Sequence, residues 1–235
     1  MTVQIHHGDC RDVLATFAPD SIDTVICDPP YGLSFMGRSW DHAVPGPDYW
    51  EAALRVAKPG AALLAFGGPR TYHRLVCEIE DAGWEIRDCL MWAHGQGFPK
   101  SHNLEKAGAG APFAGFGTAL KPAWEPIIMA RKPLEGTVAS NVLKHGTGGI
   151  NVDGCRVDAG DGRPHIESMA EKSQHAFGDG LNGSRANGTT TTGRWPANVI
   201  HDGSDEVVGM FPETTTGDFA RKESDAKRVN PSGWT

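Results

Sequence analysis

The chain lacks any stretch of about 18 consecutive apolar residues, so no segment is suited to cross a bilayer as a helix and no membrane partner is expected. Its first residues, Met1-Thr2-Val3-Gln4-Ile5, enter a strand-like pattern with no secretory signal ahead of them. Cysteine is sparse and unpatterned. Cys10, Cys27, Cys77, Cys89 and Cys155 are odd in number and contain no Cys-x-x-Cys pair, which argues against a disulfide framework and a structural zinc site. Reduced thiols in a cytoplasmic protein are the expectation. Ten histidines show no ligand spacing, so no metal is expected. A basic excess is missing too. The net charge of −7 counts against a nonspecific nucleic-acid coat, but not against an enzyme whose basic surface is confined to one cleft.

Glycine and proline are plentiful instead, at 30 and 16 of 235 residues, and imply many loops. The length fits one domain, or one with a sizeable insertion. Residues 4–7 suggest a short strand and 12–17 a short amphipathic helix with Val13, Leu14 and Phe17 apolar. Residues 22–27 read as a strand that Pro29-Pro30 cannot extend. A helix over 49–57 is stopped by Lys58-Pro59-Gly60, and the apolar run 61–66 has the length of a strand buried on both faces. A helix over 71–82 ends at Gly83, and 84–92 and 125–132 read as an antiparallel strand pair. The alternation of strand and helix predicts an α/β fold with parallel strands and crossover helices. Ligands of such sheets sit beyond the carboxyl ends of the strands, so Asp9, Asp28 and Gly67-Gly68 should converge on one cleft.

Asp28-Pro29-Pro30-Tyr31 is the strongest chemical signal. A given four-residue word arises by chance in roughly one chain of this size per thousand, and this copy ends an apolar strand. It could serve as a stiff turn with Tyr31 as a lid on the core. It also suits a demanding reaction. The amino nitrogen of a nucleobase is a poor nucleophile because its lone pair is delocalised into the ring. A carboxylate (Asp28) and a backbone carbonyl (Pro29) accepting its two hydrogens would draw it toward tetrahedral geometry. The prolines fix φ and hold these acceptors still, and Tyr31 offers a face on which a base can stack. With no nucleophile or metal site apparent, a highly activated methyl donor such as a sulfonium is implied.

The motif and its preceding strand resemble the catalytic segment of amino-directed DNA methyltransferases, and His7-Gly8-Asp9-Cys10 resembles that family's acidic segment at the donor's adenosine. The resemblance continues through Lys58-Pro59-Gly60, Phe66-Gly67-Gly68, Gly97-Phe98-Pro99-Lys100-Ser101, Gly117-Thr118-Ala119-Leu120-Lys121-Pro122, Glu125-Pro126, His145-Gly146-Thr147-Gly148 and Gly193-Arg194-Trp195-Pro196-Ala197-Asn198. It covers roughly residues 3–203 and is closest to the bacterial and phage group in which the catalytic motif precedes the recognition region. It implies a Rossmann-like S-adenosylmethionine-dependent sheet, S-adenosylmethionine as methyl donor and double-stranded DNA as substrate. Site residues follow from it: Asp28, Pro29, Pro30 and Tyr31 for catalysis, and Asp9, Cys10, Asp28, Phe66 and Gly67 at the donor. Arg38, Trp40, Lys100, Arg194 and Trp195 are candidates at the DNA.

Adenine is favoured because the motif opens with Asp; cytosine-amino enzymes often carry Ser there, yet cytosine poses the same chemical problem. One departure stands out. The family's Phe-x-Gly-x-Gly strand–loop, which holds the methionine part of the donor, is expected after the recognition region and is not met before Thr235. Phe113-Ala114-Gly115-Phe116-Gly117 is similar on paper but reads as a loop. The sheet is therefore expected to be incomplete, with an unpaired edge along 22–27 that a second copy, or a polypeptide carrying the missing segment, would cover. A truncated copy that only binds DNA or a partner stays open, as does methylation of RNA or protein. The expected organisation is a catalytic core over 1–135, a loop-rich target-recognition region over 136–213 and a polar tail over 214–235.

Overall fold

A strand needs a neighbour for its backbone groups, and the apolar runs of this chain find theirs in one five-stranded mixed sheet. The computed structural model describes residues 2–34, 37–95, 97–99, 101–156, 163–168, 184–190 and 195–209. The strands are β1 (Ile22–Cys27), β2 (Ala57–Phe66), β3 (Glu85–Ala93), β4 (Trp124–Arg131) and, late in the chain, β7 (Val199–His201), in spatial order β1-β2-β4-β3-β7. β1 and β2 are parallel, as the strand–helix alternation requires. β4 runs against both of its neighbours, β2 and β3, and β7 lies parallel to β3. Helices α1 (Cys10–Ala15), α2 (Pro47–Val56) and α3 (Tyr72–Asp81) come from the same part of the chain, α4 (Val138–His145) packs on β2, and α5 (Asp205–Val208) follows β7. Two units divide the chain: 1–156 with 195–208, which holds this sheet, and 157–194 with 209–235, in which β5 (Arg163–Ser168) and β6 (Ser184–Thr190) pair as an antiparallel ribbon.

The core follows the apolar patterns. Ala61, Leu63 and Ala65 alternate on the buried face of β2 and meet Trp50 and Ala53 of α2 and Leu75 and Ile79 of α3. Burying one Leu or Ile side chain stabilises the fold by about 1.5–3 kcal/mol. The indole Nε1 of buried Trp84 donates to the Trp50 carbonyl at 3.0 Å, which satisfies its one polar group. Buried Asn141 of α4 is satisfied as well. Its Nδ2 donates to the Pro59 and Thr147 carbonyls, both at 2.9 Å, and its Oδ1 accepts from the Glu135 N–H at 2.9 Å.

Some local expectations shift. Residues 4–7 form no strand; among the described residues nothing pairs with them, and Val3 and Ile5 stay exposed. The first helix starts at Cys10 because Asp9 caps it, and the second at Pro47, whose fixed φ suits a first turn. Lys58-Pro59-Gly60 lies inside β2 rather than before it. Gly60 has φ +79 and the pairing of β1 with β2 slips between Ile22 and Thr24, so the segment is carried as a bulge. Ile150, Asn151 and Val152, though strand-like in sequence, form no strand, whereas Val199–His201 becomes β7. The tail 214–235 lies outside the described residues.

Candidate active site

Because β1 and β2 are parallel and Cys27 pairs with Ala65, both strands deliver their following residues to one edge of the sheet. Asp28 is exposed there, while Pro29, Pro30 and Tyr31 are half-buried. The Thr71 hydroxyl donates to the Tyr31 carbonyl at 2.5 Å and ties the turn to the start of α3. A side chain at buried Gly68 would bring its Cβ to 3.2 Å from the Tyr31 ring, a tight contact that glycine avoids. The Gly67 N–H donates to the Pro126 carbonyl at 2.9 Å. The Tyr31 hydroxyl reaches Glu125 Oε2, at the start of β4, at 3.4 Å. Burial, then the negative charges of Glu125 and Asp28, hold that hydroxyl well above the usual tyrosine range. Behind the turn the Cys27 thiol is pushed up to about 12 by burial, reinforced by Asp28 and Cys10.

The loop after the motif is anchored by a residue the sequence did not single out. Asp41, 3% exposed, accepts from the Gly32 N–H at 2.8 Å and the Leu33 N–H at 3.2 Å, and its carbonyl accepts from the Ser34 N–H at 2.7 Å. An acidic residue beside Trp40 in a glycine-bearing loop was the available signal. Arg38 and Trp40 themselves are exposed on this loop.

Asp9 caps α1, and its carboxylate is occupied by Arg11. The backbone N–H donates at 2.9 Å, Nε at 3.1 Å and Nη2 at 2.8 Å. These bonds pull its pKa down to about 2. Arg11 continues to Asp48 at 2.5 Å and lies 4.2 Å from the centroid of the Tyr49 ring. Asp9 is thus already satisfied inside the protein, and any ligand hydroxyl must share it with Arg11. Cys10 is exposed beside it, Phe66 is half-buried and Gly67 buried at the end of β2. Asp28, exposed at the strand end, offers a carboxylate to a ligand, whereas the Asp9 carboxylate is already engaged by Arg11.

Glu125 also borders a cavity of about 280 Å³, whose other walls are Trp92, His94 and Asp202. Of these, sequence reading noted Glu125 within a motif and passed over the rest, because they come together through β3, β4 and β7, far apart in the chain. Trp195 is exposed, with the Arg156 guanidinium 5.2 Å from its ring centroid. Lys100 and Arg194 lie outside the described residues. Residues 113–117 form a loop after a short 3-10 turn (Ala111–Phe113), with Phe113 and Phe116 edge to face at 5.8 Å.

No protein-family model matches the chain. It is 31% identical over 108 residues to the type II methyltransferase M.HindIII of Haemophilus influenzae, covering 42% of this chain and 35% of that protein. It is 29% identical over 92 residues to YubD of Escherichia coli, described as a methylase, covering 36% and 40% respectively. The chain therefore spans two fifths or less of the curated relatives it matches. Among solved structures, TTHA0409 of Thermus thermophilus, described as a DNA modification methylase, is 20% identical with a TM-score of 0.38, covering 58% of this chain and 56% of that one. The cytosine-N4-specific PvuII DNA methyltransferase is 15% identical with a TM-score of 0.38, covering 56% and 50%. The sequence similarity is thus distant and partial, and it is to methyltransferases.

Proposed function

We propose, from this similarity and the catalytic turn together, that the chain transfers a methyl group from S-adenosylmethionine to the exocyclic amino group of adenine in double-stranded DNA, with the amino group of cytosine as the alternative. The observation that carries the reading is Asp28 exposed at the end of β1 beside a Tyr31 anchored from two sides. In this reading the Asp28 carboxylate and the Pro29 carbonyl accept the two amino hydrogens and aim the nitrogen lone pair. Tyr31 supports the face of the extruded base. S-adenosylmethionine, when bound, supplies a methyl carbon activated by its sulfonium. As the nitrogen gains the methyl, it sheds a proton, and Asp28 is the acceptor at hand. Gly67, Gly68, Phe66, Cys10 and Asp9 flank the donor in this reading, with Arg11 moving aside or sharing Asp9.

The roles of the remaining regions belong to the same proposal. Residues 1–135 carry the chemistry, with Arg38, Trp40 and Lys100 toward DNA, and 136–213 carry target recognition, with Arg194 and Trp195 toward DNA. A further extended strand, from a second copy or from a polypeptide bearing a glycine-rich donor segment, pairs along β1. Among the described residues β1 has a neighbour on one side, and its Ile26 is 67% exposed.

The test is transfer from labelled S-adenosylmethionine to unmethylated genomic DNA, followed by nucleoside analysis. Label in N6-methyladenine is expected. Asp28→Ala should lower transfer at least about a hundredfold with an unchanged melting curve, since a positioned acid–base group contributes on this scale. Label on the cytosine amine would overturn the base assignment, and no label in DNA, with or without a second polypeptide, would overturn the reading.

A further inference from the structure

The cavity beside Tyr31 holds groups that the catalytic turn leaves without a task. His94 follows β3 directly; its backbone N–H donates to the Ala123 carbonyl at 2.9 Å, which extends the β3–β4 pairing, and the residue lines the cavity. Its Nε2 is buried and has no hydrogen-bond partner among the described residues. An imidazole nitrogen kept from water with no partner carries an unmet demand, which a ligand in the cavity meets once the ring turns toward it. Across the cavity Asp202 is fixed by accepting from the Gly95 N–H at 3.3 Å, and the Lys121–Glu206 pair at 2.6 Å ties α5 to the segment leading into β4. Trp92 supplies an aromatic wall, and Glu125 is shared with the Tyr31 hydroxyl. The site therefore combines a flat apolar surface with one unmet polar atom, next to a turn suited to grip an amino group.

We propose that this cavity seats the ring of the target nucleobase, and that His94 Nε2 hydrogen-bonds the ring nitrogen adjoining the exocyclic amine. This rests on the amino-methylation reading and adds to it a specificity-determining residue. The chemistry explains the need. That ring nitrogen carries an in-plane lone pair and is a better nucleophile than the amine, whose own pair is delocalised. A donor placed on it orients the base and keeps the ring nitrogen from competing for the methyl group. Asp28 and Pro29 then meet the amine, His94 the ring nitrogen and Trp92 the face of the ring. Glu125 keeps Tyr31 in place from behind.

The experiment is titration of the full chain with 2′-deoxyadenosine and 2′-deoxycytidine 5′-monophosphates, read by the imidazole ¹⁵N resonances of His94 and by calorimetry. The same titration is made with the 1-deaza analogue of the adenine nucleotide, which lacks the ring nitrogen. The His94 ring resonances should move with the natural nucleotide that fits the cavity. His94→Gln, and separately the deaza analogue, should each weaken binding about fivefold, the size of one hydrogen bond, and combining them should cost no more than either alone. Trp92→Ala should weaken binding about tenfold, as loss of a stacking face does. Equal binding of natural and deaza nucleotides, or His94 resonances that stay fixed while those of Tyr31 move, would overturn the cavity's assignment. Both readouts are independent of methyl transfer. An inactive protein that still shows the His94–deaza coupling would sink the proposed reaction and leave the base site standing. An active one without the coupling would do the reverse.

Discussion

β1 and β2 lie side by side, run in the same direction and end on the same edge of the sheet, yet they are buried very differently. β2 is hydrogen-bonded on both sides, and Ala57, Ala61, Leu63 and Ala65 are fully enclosed. β1, equally apolar in its second half, has one neighbour among the described residues, and no residue of it is fully buried. The strand that carries the candidate catalytic turn is thus the less supported of the two. What holds the turn comes from elsewhere: Thr71 at the start of α3, Glu125 on β4 and Asp41 in the following loop. Stability lives in β2, and the candidate chemistry lives at the end of β1, where exposure leaves room for ligands.

This contrast can be broken by substitution. The largest change in stability is expected at Leu63→Ala, which opens a cavity in the enclosed strand and should cost about 2–5 kcal/mol in urea unfolding, a large share of a typical domain's stability. A cost below about 1 kcal/mol would show that β2 is not the centre of the core. Asp41→Ala comes next. It strips two backbone N–H groups of their acceptor and should cost about 1–3 kcal/mol, with faster proteolysis confined to 32–41. Ile26→Ser should change stability by no more than about 0.5 kcal/mol, because that side chain is already in water. Its effect should appear in sedimentation, as less self-association or less capture of a strand partner. A large loss of stability there would mean that β1 is more enclosed than its exposure indicates.

The smallest effect concerns pH. Asp9 is depressed from 3.8 to about 2 by Arg11, so its contribution is complete above pH 3.8 and disappears as pH falls through about 2. Both groups are open to solvent, so the contribution is small. Asp9→Asn should remove this acid-dependent part of unfolding and leave the curve above pH 5 parallel to that of the parent. An Asn variant whose acid limb is unchanged would show that the Arg11 contact does not persist in solution.

Much of the framework was legible because it rests on short-range patterns. The run 22–27 forms β1 at the expected bounds, and the antiparallel pair expected over 84–92 and 125–132 forms as Glu85–Ala93 with Trp124–Arg131. The chain turns after Cys27 because two prolines cannot continue a ladder. Less legible was Pro59 inside β2. A proline–glycine pair ordinarily ends an element, and here a positive φ at Gly60 absorbs it as a bulge. Residues 4–7 alternate like a strand, but alternation supplies a face, not a neighbour, and they form none.

The sequence by itself determined the Asp28–Tyr31 turn, the strand before it and the alternation that brings two strand ends together, since each depends on contiguous residues and local backbone limits. Tertiary structure alone decided that Glu125 would stand behind Tyr31 and that Trp92, His94 and Asp202 would line one open cavity with it. Those groups are brought together by pairings across the sheet and by the return of β7 beside β3, over separations of up to about a hundred residues. No local pattern encodes such a meeting; it follows from which strands find hydrogen-bonding partners when the core closes.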